Sequence, residues 1–107
     1  MSLRIELTTK FKRKAKALLK KYPSFKEELE ELIFSLEKNP TLGVSIKYNC
    51  YKIRLAIKSK GKGKSGGARI ITHLHVTDYT IYLIYLYDKS EQDDISDNDL
   101  LDLIKDL

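Results

Sequence analysis

The run Tyr51-Lys52-Ile53-Arg54-Leu55-Ala56-Ile57-Lys58 sets large apolar residues at every second position for eight residues, which is the side-chain period of an extended chain. Tyr51, Ile53, Leu55 and Ile57 share one face, and Lys52, Arg54, Ala56 and Lys58 share the other. The apolar face must be covered by a second layer, here expected to be helical. The opposite face gathers three cations. Immediately after it, Ser59 to Gly67 reads Ser-Lys-Gly-Lys-Gly-Lys-Ser-Gly-Gly. Four glycines in nine residues cost too much backbone entropy for a strand or a helix, so this is a basic loop.

The covering layer is legible upstream. Leu3, Ile5 and Leu7 alternate with Arg4 and Glu6 as in a short strand. From Thr9 the period lengthens: Phe11, Ala15, Leu18, Leu19 and Tyr22 fall at helical spacing among seven cations. Pro23 stops that helix, and Ser24-x-x-Glu27 is a capping-box pattern for a second one, striped by Phe25, Leu29, Leu32, Ile33 and Leu36 and ended by Asn39-Pro40. Downstream, Arg69 to Val76 and Thr80 to Tyr87 read as strands joined at Thr77-Asp78-Tyr79. Ser96-x-x-Asp99 caps a last helix carrying Leu100, Leu101, Leu103, Ile104 and Leu107. The expected class is α+β, in the order β-α-α-β-β-β-α. A helical hairpin covers one face of a mainly antiparallel sheet whose last three strands form a meander, and the other face stays open. Along the last strand, strict alternation sets Tyr82, Ile84 and Leu86 on one side and Ile81, Leu83, Tyr85 and Tyr87 on the other.

At 107 residues and 42% hydrophobic content the chain suffices for one core, so a single domain over 1–107 is expected. Its longest uncharged stretch, Tyr79 to Tyr87, is nine residues, against roughly 18 needed to cross a bilayer. No membrane partner is expected. The amino terminus lacks the apolar core of a secretory signal, and the lone Cys50 can form no internal disulfide, so the cytoplasm is the expected compartment.

Net charge is +5, but it is unevenly spread. Residues 1–22 hold eight cations against one acid, and residues 41–69 hold eight cations and no acid. Residues 70–107 hold two cations against nine acids. A 29-residue segment without a single acid repels itself, and a nucleic-acid phosphate backbone is the natural counterweight. Lys52, Arg54, Lys58 and Arg69 can form a patch, fed by Lys60, Lys62 and Lys64 from the loop. Arginine forks onto phosphate oxygens, and Tyr79, Tyr82, Tyr85 and Tyr87 offer faces for stacking bases. The bland alternative is a solvated basic face. The acidic tail reads as a solvated amphipathic helix, or more sharply as a charge partner or lid for the basic half.

Two superficial motifs fail. Gly63-Lys64-Ser65 suggests a nucleotide-binding P-loop, but that pattern requires glycine where Lys58 stands and must lead into a helix. His73 and His75 share a strand face, yet two imidazoles do not make a zinc site without further ligands. No metal or other cofactor is expected. The histidines are better candidates for acid-base work, or for contact with RNA.

Three segments together resemble a known family: Tyr51-Lys52-Ile53-Arg54-Leu55, the loop Ser59 to Gly67 with Ala68-Arg69-Ile70-Ile71, and Tyr82-Leu83-Ile84-Tyr85-Leu86-Tyr87-Asp88-Lys89. They are similar to the RelE superfamily of bacterial toxins, particularly its HigB-like branch, in which a Lys-Gly-Lys-Gly-Lys loop closes with Gly-Gly-x-Arg. The likeness runs from Asn39-Pro40-Thr41-Leu42-Gly43 through Lys89, the earlier elements agree in order, and the last eighteen residues match loosely. The resemblance implies the toxin of a type II toxin-antitoxin pair, with a cognate antitoxin as partner, that cleaves messenger RNA at the ribosomal A site. Lys52 and Arg54 match the basic strand positions, Arg69 the arginine after the loop, and Lys89 the basic position after the last strand.

In such RNases the substrate's own 2′-hydroxyl attacks the adjacent phosphate, so the protein must take a proton, stabilise charge and return a proton. Arg54 and Arg69 suit the charge. Crowding by cations makes an ammonium easier to deprotonate, so Lys58, Lys60 or Lys89 is the expected proton carrier, with Tyr87 or a histidine as the other. Some relatives place a tyrosine in the terminal helix, whereas none follows Tyr87 here. The competing readings are a ParE-like inhibitor of DNA gyrase and a nucleic-acid-binding module without catalysis.

Overall fold

The computed structural model describes residues 3–61, 63, 66–105 and 107. Its elements are β1 (Arg4–Leu7), α1 (Thr9–Lys21), α2 (Phe25–Lys38), β2 (Val44–Ser45), β3 (Cys50–Leu55), a 3-10 turn (Lys58–Lys60), β4 (Ala68–His75), β5 (Thr80–Asp88) and α3 (Asp97–Lys105). The fold is α+β, with a five-stranded sheet in the order β1-β5-β4-β3-β2. β1 runs parallel to β5, and the other neighbours are antiparallel. The two-residue β2 is too short to show a period, which is why the sequence did not reveal it.

α1 begins where Thr8 accepts a hydrogen bond from the Phe11 N–H at 3.2 Å, a side-chain N-cap. At α2 the expected capping box does not form. Ser24 has helical backbone angles and makes no side-chain cap, and its hydroxyl instead bonds Glu28 and accepts from the Ser59 N–H. α3 is capped as its sequence suggests, Ser96 Oγ accepting from the Asp99 N–H at 3.1 Å.

Phe11, Ala15 and Leu18 of α1 and Phe25, Leu32 and Leu36 of α2 bury against Ile53, Ile57, Ala68, Ile70, Ile81, Leu83 and Leu86. Ile53, Leu55 and Ile57 thus face the helices, as their period requires. The second face is not left open. Leu100 and Leu103 of α3 pack there with Cys50, Ile71, Ile84 and Tyr87, with Tyr82 and Tyr85 alongside, which takes the apolar stripe of the amphipathic last helix out of water.

The alternation expected for β5 also breaks. Ile71 lies opposite Tyr85 and Thr72 opposite Leu83, so Ile84 is an extra residue on β5. Such a bulge resets the period-two pattern beyond it. Leu86 consequently joins Ile81 and Leu83 on the helical-hairpin side, while Tyr85 and Tyr87 turn to the α3 side.

Candidate nucleic-acid interface

The register across three strands builds the site. Arg54 on β3 lies opposite Arg69 on β4, and Arg69 lies opposite Tyr87 on β5. Directly paired residues share a face, so the three side chains form one row on the side away from α1 and α2. The next row is Lys52, Ile71 and Tyr85. The β5 bulge falls between Ile71 and Thr72, and without it Tyr87 would project to the other face.

The glycines before Arg69 fix the approach of the loop. A Cβ on Gly67 would lie 2.0 Å from the Leu55 carbonyl oxygen, so only glycine lets β4 start this close to β3. The Lys89 N–H donates to the Gly67 carbonyl at 3.0 Å, tying the start of β4 to the end of β5. Arg69 is 5% exposed and donates through Nη1 to the Ala68 carbonyl at 3.2 Å. Tyr87 is 3% exposed, and its hydroxyl is held beside the Asp94 carboxylate. Burial, together with the negative charge of Asp94, pushes the phenol up to about 12, against an opposing pull from Arg69.

The segment between β5 and α3 crosses this end of the sheet. Lys89 Nζ donates to the Asp93 carboxylate at 2.8 Å, and Lys52 Nζ donates to Asp94 at 3.2 Å. The Ile95 N–H, with Lys52 and Lys89, holds the Asp94 carboxyl below its ordinary range. Further along, Lys47 pairs with Asp97 at 2.7 Å. The acidic tail is therefore a charge partner of the basic half. Neither Asp93 nor Asp94 was singled out by sequence reasoning, since acids in a solvated tail carry no periodic mark.

The expected patch is only partly assembled. Lys52, Arg54, Arg69, Tyr87 and Lys89 converge. Lys58 leaves the strand row, because β3 ends at Leu55 and the following 3-10 turn carries its backbone to α2, where its N–H donates to Glu28 at 2.7 Å; it lines, with Arg54, a groove against that helix. Lys60 is committed elsewhere: its side chain is 6% exposed and forms an ion pair with the buried Asp88 on the helical-hairpin side, where Tyr22 donates to the other Asp88 oxygen at 3.1 Å. Burial opposes ionisation of Asp88, but the hydrogen bonds from Lys60 and Ser90 outweigh it and hold this carboxyl well below the usual carboxylate range. Lys62 and Lys64 lie outside the described residues.

His73 and His75 share the Arg69 face but stand four and six positions further along β4. At about 3.3 Å per residue, even the nearer is on the order of 13 Å away. Burial lowers the His73 pKa, and its Nδ1 lies 3.6 Å from the Cys50 sulfur. His75 Nδ1 lies 3.2 Å from Asp78. Among the described residues no three His, Cys, Asp or Glu side chains are grouped to hold a metal ion, and no helix is long and apolar enough to cross a membrane.

Residues 3–106 match the family model described as the RelE toxin of the RelE/RelB toxin-antitoxin system. The chain belongs to the RelE toxin family. The RelE fold is also seen in two solved structures. An arginine double mutant of the E. coli toxin RelE in the free state aligns with a TM-score of 0.65 at 13% identity, over 100% of this chain and 99% of that one. The isolated E. coli RelE toxin aligns at 0.63 and 14%, over 99% of this chain and 100% of that one. As a RelE-family toxin, the chain is expected to have a cognate antitoxin as its partner.

Proposed function

We propose that this RelE-family chain is a ribosome-dependent, metal-independent endoribonuclease of the HigB-like branch that cuts messenger RNA at the A site in the cytoplasm and is restrained by its antitoxin. The observation that carries this reading is the row Arg54, Arg69 and Tyr87, flanked by Lys52 in the next row and by Lys89, which shares the Asp93–Asp94 segment with Lys52. Its chemistry suits phosphodiester transesterification. The substrate 2′-oxygen forms a bond to phosphorus as the bond to the 5′-oxygen breaks, and negative charge grows on the non-bridging oxygens. Two guanidinium groups fixed by the ladder stabilise that charge without reorganising. Tyr87, with its pKa raised to about 12, is a phenol at neutral pH and suits the proton donor for the departing 5′-oxygen. Lys89, just beyond β5 and held as an ammonium beside Asp93, suits a further positive contact for the phosphate as its negative charge grows.

The test is a translating extract given purified protein. Cuts within codons of a translated message are expected, and they should vanish when Arg54, Arg69 and Lys89 are replaced together. Undiminished cleavage by that variant would sink the site assignment. DNA damage with intact messages would favour the gyrase-directed alternative.

A further inference from the structure

β1 stops at Leu7, opposite Leu83, because Thr8 turns there to cap α1 and its own N–H donates to the Leu83 carbonyl at 3.1 Å. β5 runs on to Asp88, and among the described residues no strand pairs with that stretch of its outer edge. Between this edge and α1 lies a cleft of about 390 Å³, whose lining includes Arg13, Lys14, Tyr87 and Gln92. Beside it, Lys14 Nζ stands 4.6 Å and Lys10 Nζ 5.8 Å from the centre of the Tyr85 ring. The Tyr85 hydroxyl donates to Gln92 at 3.0 Å, and its ring centre is 6.1 Å from that of Tyr87 in the candidate catalytic row.

Lys10, Arg13 and Lys14 thus share one turn of α1, spaced to lie on one side of the helix. None has a carboxylate within ion-pair distance among the described residues, whereas Lys21 on the same helix holds Glu91 at 2.7 Å. Asp88 and Glu91 also line the cleft, but they are engaged by Lys60 and Lys21. Like charges at this spacing destabilise a helix, and a half-buried ring offsets only part of that cost. An anion with a flat face satisfies both features at once.

We propose that Lys10, Arg13, Lys14 and Tyr85 form a subsite for the nucleotide flanking the scissile linkage, carrying single-stranded RNA from the sheet face around the open edge of β5 onto α1. The inference rests on the RNA reading of the Arg54 and Arg69 row. Phosphates meet the three cations, and the lysines yield the Tyr85 ring to a base.

The experiment is fluorescence anisotropy with a short 2′-O-methyl oligoribonucleotide, which lacks the attacking hydroxyl and stays intact, titrated at several salt concentrations. Replacing Lys10, Arg13 and Lys14 together by alanine should weaken binding by at least about tenfold. It should also reduce the slope of log affinity against log salt by about 2, at about 0.7 for each lost single-strand phosphate contact. Tyr85→Ala should weaken binding by about tenfold, and Tyr85→Phe should bind as wild type, since stacking needs the ring alone. If Arg54→Ala with Arg69→Ala weakens binding while the α1 triple variant does not, the subsite is wrong and the nuclease reading stands. Binding indifferent to Arg54 and Arg69 overturns that reading and the continuous track with it. Wild-type binding of an acidic peptide but not of the oligoribonucleotide, lost in the α1 variant, would assign the ridge to a protein and overturn the proposal. The α1 variants, at two exposed positions and one half-buried one, and Tyr85→Phe keep the test independent of any folding defect in Tyr85→Ala.

Discussion

Arg54 and Arg69 stand directly opposite one another across the β3–β4 ladder, two cations in a cross-strand pair. Like charges so placed oppose folding by a few tenths to about 1 kcal/mol, and Arg69 is buried while Arg54 is exposed. Arg54→Gln is therefore expected to raise stability by about 0.5 kcal/mol in urea unfolding while abolishing RNA cleavage. Lower stability in this variant would show that the pair is not in conflict.

Asp88 and Lys60 form an ion pair in which both side chains are nearly inaccessible. Removing one partner strands the other, so Asp88→Ala should cost about 3 kcal/mol or more. The pH dependence follows from the depressed carboxyl. Its contribution is complete above the ordinary unfolded value, near pH 4, and is lost as pH falls toward the folded value. Thermal melts between neutral pH and pH 3 should show a steeper acid loss for wild type than for Asp88→Asn.

Tyr87 combines burial, a neighbouring Asp94 carboxylate and a pKa raised to about 12. Tyr87→Phe should preserve the fold and lower the cleavage rate by about 10²- to 10⁴-fold, the usual worth of a positioned proton donor. Ultraviolet titration should show one fewer late-ionising phenol in the variant. A Tyr87→Phe protein that cleaves at the wild-type rate would remove this residue from the chemistry.

Asp94 on Lys52 and Asp93 on Lys89 occupy cations that a phosphate would otherwise take. Both acids are largely exposed, so the pairs contribute little stability, under about 1 kcal/mol. Asp93→Asn with Asp94→Asn should therefore bind RNA several-fold more tightly with nearly unchanged melting. Unchanged affinity would mean that this segment does not compete with RNA.

Cys50 is fully buried, and burial pushes its thiol up to about 12. Native protein at pH 8 should resist iodoacetamide and react fully in urea, since the thiolate is the nucleophile. Rapid native alkylation would reveal opening between α3 and the sheet.

Composition and period determined a great deal here. The alternation from Tyr51, the helical stripes beginning at Phe11 and Phe25, and the glycine-rich loop before Arg69 each report on neighbouring residues. Side-chain direction is a local property of an extended or helical chain. They fixed the element order apart from the two-residue β2, the side on which Lys52 and Arg54 stand, and the presence of an arginine just beyond the loop. Tertiary structure decided what local period cannot express. The bulge at Ile84 turned Tyr87 toward Arg69, α3 covered a face that looked open, and Asp88 drew Lys60 away from the phosphate-binding side. Each is a pairing between segments distant in sequence, chosen by the burial and charge of the whole chain. No stretch of neighbouring residues encodes that choice.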